Sequence, residues 1–422
     1  MSTPTPVTTA ATGAARWYRR RPAAWVHPGF RRLALAWVFT NLADSALYLM
    51  VAVWVKEITG SDGAAALVFA LLGVPAFVAP FLGTVADRVS RRRLLVGAYT
   101  GIALVVASLF LVQSAAWLAL LYAVVVAYGA VGYLTAAAQS GLLRDLLPDE
   151  HLASGNGLLS TIDQSLRLVS PVLGAGLYAL VGPRAVVALT VVSFALAGLV
   201  LLTVRVRESE PEAASERGSY RVELSAGVRH LARTPVLGRV VLLMALACGA
   251  VGMVNAAVFP ALEQGMGLPP SALGVLVSFQ GVGAVAAGMT VAWAIGRWGE
   301  RRTFAVGTLA LGVGILPVMG SSVPLLVVGL VVVGAGVTWS VVAAQTLRIR
   351  LTPPRLQGRT GAAANMAVNV PQTVTTAAAA AVLGVTDYRL LVAVTAAVVG
   401  LAALGAVGGR RQESDVAPAV VG

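Results

Sequence analysis

Apolar runs of about twenty residues recur along almost the whole chain, each long enough to cross a hydrocarbon core as a helix. That recurrence constrains the fold more than any other feature. In hydrocarbon every backbone N–H and C=O needs an internal partner, so repeated runs of this length imply a bundle of helices. Composition agrees: 58% of the 422 residues are hydrophobic and 12% charged, where a soluble domain carries about 25% charged residues. No stretch is left for a soluble catalytic domain. The single cysteine, Cys248, lies inside an apolar run and cannot form an internal disulfide, so helix packing alone must hold the fold.

Taken in order, residues 1–28 form a Ser/Thr/Pro/Ala tract ending in Arg16, Arg19, Arg20 and Arg21, read as a disordered basic cytosolic N-terminus. Six spans follow within 29–204: about Leu33–Val55, Ala64–Ala86, Leu94–Val112, Trp117–Ala138, Gly157–Leu180 and Ala185–Val204. Residues 205–234 are polar and then amphipathic, which predicts a cytoplasmic linker ending in a surface helix. A second set within 235–408 runs at about 236–259, 272–295, 303–319, 323–345, 361–384 and 389–408, before a cytosolic tail at 409–422. Twelve spans put both termini in the cytosol. Charge supports the count: Lys56, Arg184 and Arg389 fall in loops assigned outside and Arg167 lies within a span, while the other basic residues lie on the cytoplasmic side. The net charge of +13 is thereby explained by topology, with no basic fold for nucleic acid.

The halves resemble each other. Arg297-Trp298-Gly299-Glu300-Arg301-Arg302, between spans eight and nine, repeats the hinge between spans two and three, with Gly296 where that hinge has Asp87. Ala137-Ala138-Gln139 at the end of span four recurs as Ala343-Ala344-Gln345 at the end of span ten. The repetition implies two parallel halves related about an axis normal to the membrane.

The first hinge, Gly83-Thr84-Val85-Ala86-Asp87-Arg88-Val89-Ser90-Arg91-Arg92-Arg93, carries an aspartate at a helix C-terminus, where the macrodipole disfavours an anion. Asp87 therefore needs a partner. The pattern G-x-x-x-D-R-x-x-R-R resembles the loop motif of the major facilitator superfamily, with Ser90 for the usual glycine and Val85 for the usual leucine. In span five, Ser170-Pro171-Val172-Leu173-Gly174-Ala175-Gly176 resembles the G-P-x-x-G-G motif of exporters in that superfamily. Phe30-Arg31-Arg32-Leu33, Leu143-Arg144-Asp145-Leu146-Leu147-Pro148 followed by Asn156, and Val181-Gly182-Pro183 look like the macrolide-efflux and enterobactin-exporter branch.

The resemblance implies an all-α polytopic membrane protein of twelve transmembrane helices in two pseudo-symmetric six-helix bundles. It also implies an inner-membrane exporter of amphipathic small molecules working by proton antiport and alternating access. Gly83, Asp87, Arg88, Arg91 and Arg92 would form a cytoplasmic latch between the halves. Ser170, Pro171, Gly174 and Gly176 would let span five bend and pack closely.

Several polar residues inside spans stand out on their own chemistry. Asn41 and Asp44 are three apart in span one, on one helix face. A charged Asp at the bilayer centre costs about 2.5–3.5 kcal/mol on the insertion scale, so it should face the interior. A carboxyl group withdrawn from water holds a proton more readily, which makes Asp44 the first choice for proton coupling. Packing through hydrogen bonds is the competing role. Asp163 and Arg167, four apart in span five beside Gln164, are the next choice; they can also neutralise each other as a structural pair. Asn41, Asn255, Gln280, Asn365, Asn369 and Gln372 are amides suited either to a substrate cavity or to bonding between helices. Tyr128, Tyr133 and Trp339 can line an apolar pocket or serve packing.

No metal-spaced His/Cys cluster, phosphate-cradling Gly-Lys-Ser/Thr loop or Gly-x-Ser-x-Gly elbow occurs, so an enzyme is not expected, nor any cofactor or metal. Transport would then draw on an ion or substrate gradient. The expected partners are a small-molecule substrate, protons and the lipid bilayer, for a chain acting as a monomer. An uptake permease and a non-transporting sensor stay open as alternatives.

Overall fold

The computed structural model describes residues 23–79, 82, 89–206, 208, 220–353 and 356–407. The described residues are almost entirely helical. A short 3-10 turn, Ala23–Val26, leads into α1 (Pro28–Thr59), α2 (Asp62–Gly73), α3 (Arg91–Ala107), α4 (Leu118–Leu146), α5 (Asp149–Val181) and α6 (Pro183–Leu202). The second half comprises α7 (Tyr220–Arg233), α8 (Pro235–Pro260), α9 (Ala272–Ile315), α10 (Val323–Leu351), α11 (Gln357–Val382) and α12 (Tyr388–Val407).

Local chemistry sets the ends. Proline occupies the first turn of α1, α6 and α8, where its missing N–H has no helical partner to lose. Gly60 at φ 66° closes α1. Ser61 caps α2 by accepting from the Ala64 N–H at 3.2 Å, and Ser90 caps α3 by accepting from the Arg93 N–H at 3.4 Å. Within α9 the backbone turns at Gly299 (φ 77°, ψ 164°), a conformation that favours glycine. The loop expected between spans eight and nine is therefore a single break in one long helix, whose two arms are those spans.

Among the described residues, eight of these helices are long and apolar enough to cross a membrane: α1, α3, α4, α6, α8, α9, α10 and α12. The other three bundle helices depart for identifiable reasons. Helix α2 passes at Val74 into a 3-10 turn through Pro75, and residues 80, 81 and 83–88 of the expected second span lie outside those described. Helices α5 and α11, the fifth span of each half, carry Asp163 or an Asn365, Asn369 and Gln372 series, together with a proline in mid-helix. Residues Tyr220–Arg233, within the segment read as a linker, form helix α7. It lies at one end of the second bundle, where Gly227 meets the Arg359 backbone and the His230 ring contacts the Leu351 carbonyl oxygen at 3.2 Å. Helix α7 thus marks the linker end of the molecule, opposite the far end.

Without water to drive apolar burial, helices in hydrocarbon associate through small residues that let backbones approach. Glycines serve α9 and α10 in this way. A Cβ on Gly307 would stand 2.8 Å from the Gly336 carbonyl oxygen, one on Gly314 2.8 Å from that of Gly329, and Gly334 abuts the Gln280 carbonyl. Large apolar side chains face outward instead, among them Leu180 and Val385 at 87% and 89% exposure.

The bundles meet along α2 with α8 and α11, and along α5 with α9. These contacts gather towards the far end. Gly63 faces the Ala380 carbonyl oxygen, Gly73 faces Thr373, and Gly274 of α9 packs on Pro171 and Ala175 of α5. Lys56 Nζ bonds Asp62 of its own bundle at 2.7 Å and Glu263 of the other at 2.8 Å. Glu263 sits on a π-helical turn, Ala261–Gly265, that follows Pro260. At the linker end the ion pairs stay within one bundle: Arg91 with Asp145 at 2.6 Å in the first, Arg350 with Glu300 in the second. There, too, His27 Nε2 and His151 Nδ1 stand 2.9 Å apart, tying the approach to α1 onto the start of α5.

Candidate functional site: a central cavity with two carboxylates

A cavity of about 680 Å³ lies between the bundles, lined from α1, α3, α4, α5, α6, α9 and α10. On α1 the lining residues Trp37, Asn41, Asp44 and Tyr48 follow spacings of four, three and four, a single helical stripe turned inward. Asp44 falls at the middle of α1. Asp163 from α5 lines the same cavity.

Each carboxylate is held by an aromatic donor. The Tyr128 hydroxyl donates to Asp44 Oδ1 at 2.5 Å, and the Trp37 indole N–H donates to Asp163 Oδ1. Such bonds fix the orientation of both carboxyl groups towards the cavity. Asn41 Nδ2 and the Thr40 hydroxyl both donate to the Trp37 carbonyl, at 3.0 and 3.1 Å, anchoring the turn that presents the indole. Deeper in the first bundle, Gln139 Nε2 donates to the Tyr99 hydroxyl at 2.5 Å. The polar lining is lopsided: most of it comes from the first bundle, while the second contributes Gln280 and Thr338.

A second chamber of about 230 Å³ adjoins the first and shares Tyr48, Leu49, Val277, Gln280 and Val337 with it. Its walls are mostly aliphatic, from Val251 and Val254 on α8 to Leu326 and Leu330 on α10, with Asn255 among them. The two chambers together combine an anionic pole with an apolar recess.

The residues singled out from sequence thus divide. Asn41, Asp44, Asp163 and Gln280 converge on the first chamber, and Asn255 and Gln280 on the second. Asn365, Asn369 and Gln372 lie along α11 outside both linings; Asn365 is exposed, and Asn369 Nδ2 donates to its carbonyl at 3.0 Å. The side chain of Arg167 is outside the described residues, as are Gly83, Asp87 and Arg88 of the hinge. Arg91 is engaged by Asp145, and Arg92 donates to the Leu201 and Leu202 carbonyls at 3.0 and 2.5 Å, closing the end of α6. Glu208 accepts from Ser90 Oγ at 2.8 Å and from the Arg91 and Arg92 N–H groups, so the start of the linker caps α3. Pro171 lines the first chamber within a continuous α5, where Ser170 and Gly174 are buried. Gly176 has open space around it. Trp339 points elsewhere, its indole donating to the Ala287 carbonyl and to Thr290. Trp37, Tyr99 and Gln139 are lining residues that sequence reasoning does not single out; the Ala-Ala-Gln repeat is the one available signal for Gln139.

Residues 33–255 and 240–419 each match the Major Facilitator Superfamily. No curated protein matches the sequence. Among solved structures, the nucleoside transporter NupG is similar over 90% of this chain and 98% of its own, with 13% identity and a TM-score of 0.73. A bacterial homologue of the iron transporter ferroportin in its inward-facing state is 18% identical over 90% and 97%, with a TM-score of 0.68. A bacterial homologue of ferroportin in an outward-facing state is 19% identical over 90% of this chain and 98% of its own, with a TM-score of 0.62.

Proposed function

Because the chain belongs to the Major Facilitator Superfamily and is a multi-pass membrane transporter, we propose that it exports small amphipathic molecules by proton-coupled antiport. Drugs, antibiotics, siderophores and other secondary metabolites are the substrate class. One observation carries the reading: Asp44 and Asp163, on different helices of one bundle, line a single cavity between the halves. Two carboxylates there repel when both are charged, which favours holding a proton or a cationic group of the substrate. Asp44, at mid-helix, is the coupling residue, with Asp163 and Arg167 as the adjoining relay.

The contacts gathered at the far end support a state open towards the linker end. With the linker in the cytosol of an inner-membrane protein, that state is inward-facing and receives substrate from inside. Alternating access then needs the far-end contacts to part as the hinge of Gly83, Asp87, Arg88, Arg91 and Arg92 draws the linker ends together. Export as the direction rests on the span-five motif and on the branch resemblance. One elementary charge moved through 100 mV supplies about 2.3 kcal/mol, enough for roughly fifty-fold accumulation.

The test is flux in proteoliposomes under an imposed pH gradient, with a fluorescent amphipathic cation and neutral or anionic metabolites, comparing wild type with Asp44→Asn. The expected result is gradient-driven movement in wild type that loses its dependence on the gradient in the variant. Unchanged coupling in Asp44→Asn would move the role to Asp163, and no flux of any compound from a correctly inserted protein would refute export of this substrate class.

A further inference from the structure

On the outer surface of the second bundle, at the linker end, α7, α8 and α11 enclose a groove of about 610 Å³. Val228, Leu242, Ala245, Leu246, Ala367 and Pro371 form its walls. Val228, Leu242 and Leu246 remain 53%, 59% and 49% exposed, so protein does not fill it. The α8 positions facing it, from Gly238 to Leu246, repeat at three and four residues and run for roughly 12 Å along the helix. A helix surface facing lipid is ordinarily convex; here α7, held by Gly227 and Leu231, adds a side wall and makes the surface concave.

The mouth of this groove is basic. Arg239 lines it, in the second turn of α8, and Arg233 closes α7 just before it. Arg229 lies four residues earlier, on the same side of α7 as Arg233. All three are exposed, and none has an ion pair or hydrogen bond among the described residues. A guanidinium at the edge of hydrocarbon with no protein partner is stabilised by a phosphate oxygen, which it binds through two parallel N–H bonds. Aliphatic walls below and unpaired arginines at the mouth match a molecule with an apolar tail and an anionic head.

We propose that this groove is a binding site for an anionic phospholipid, its phosphate at Arg233 and Arg239 with Arg229 beside them, and one acyl chain laid between α8 and α11. The site is separate from the transport cavity, with which it shares no lining residue. It still touches the moving parts. Pro371 in its wall is the residue against which Gly249 of α8 packs, at 3.2 Å from a Cβ placed there, and α11 is a helix that meets α2 of the other bundle.

The experiment is native mass spectrometry of the full-length purified protein with equal amounts of dioleoyl phosphatidylglycerol and dioleoyl phosphatidylcholine. Wild type should retain phosphatidylglycerol in preference, and Arg233→Gln and Arg239→Gln should each cut that preference by about fivefold, the effect of one basic side chain near an anionic headgroup. Arg184→Gln, at the far end of the first bundle, should leave it unchanged. Equal retention of the two lipids by wild type overturns the proposal, and so does a loss in Arg184→Gln as large as in Arg239→Gln. A lipid-free dimer would make the groove a self-association face and would equally refute it.

Discussion

Replacing Glu263 by Gln should open the far end of the protein. In the described state Lys56 bridges two carboxylates, Asp62 at 2.7 Å within its bundle and Glu263 at 2.8 Å across the interface. Separating the bundles breaks the second contact and keeps the first. Two unit charges 4 Å apart attract by about 4 kcal/mol at an effective dielectric near 20, before desolvation is counted. The net value is smaller. The Lys56 side chain is 9% exposed but that of Glu263 34%, placing the pair between a surface pair, worth up to about 1 kcal/mol, and a buried one costing about 3–5 kcal/mol when broken. Lys56 also keeps Asp62, so no isolated buried charge remains. A shift of about 1–1.5 kcal/mol towards the far-open state follows, raising its population roughly five- to twelvefold where it is minor.

Spin labels on Leu180→Cys and Val385→Cys, in a Cys248→Ser background, report this directly by pulsed dipolar spectroscopy. Both positions are highly exposed, one on each bundle at the far end, so the labels need not disturb packing. Glu263→Gln should enlarge the long-distance population by that factor. Asp62→Asn keeps the cross-bundle pair and should change it by less than about twofold. An unchanged distribution in Glu263→Gln, or an equal opening in Asp62→Asn, would refute the assignment of Lys56–Glu263 as a closure contact.

Two further outcomes test other elements. Asp87→Asn should impair flux while the protein still inserts and folds, and normal efflux by that variant would remove the hinge from the transport cycle. Gly334→Ala forces a methyl group against the Gln280 carbonyl of α9 and should lower the thermal midpoint through a cost of about 1–3 kcal/mol. Gly288→Ala, which meets open space, should hold or raise it because alanine favours helix by about 1 kcal/mol; equal losses in fluorescence-detected melting would show that close approach of α9 to α10 is not what Gly334 serves.

Helix positions are legible in the sequence because the period of apolar runs is set by bilayer thickness, a constraint local to each span. Amphipathic α7 is legible for the same kind of reason, alternation within one helix. Asp44 stands out since a carboxylate amid aliphatic residues has few stable places to go. Trp37, Tyr99 and Gln139 do not, because an indole, a phenol or an amide in a span serves packing as readily as a cavity, and only the register of neighbouring helices decides. Lys56 and Glu263 are invisible as a pair: each reads as an ordinary loop charge, and their meeting depends on how two bundles close. The break at Gly299 reads as a loop because basic residues around a glycine mark a reversal, while a single residue at positive φ suffices to make one.

The linker-end ion pairs have opposite polarity in the two halves. The first bundle sets a cation, Arg91, at the start of its third span against an anion, Asp145, at the end of its fourth; the second sets an anion, Glu300, against a cation, Arg350. Two halves with similar helices could otherwise confuse their partners while the chain is being inserted. With these signs, each cognate pair attracts, whereas exchanging partners would bring Arg91 to Arg350 and Asp145 to Glu300. Like charges forced together disfavour the crossed arrangement, so the sign reversal favours pairing within each half over pairing between halves.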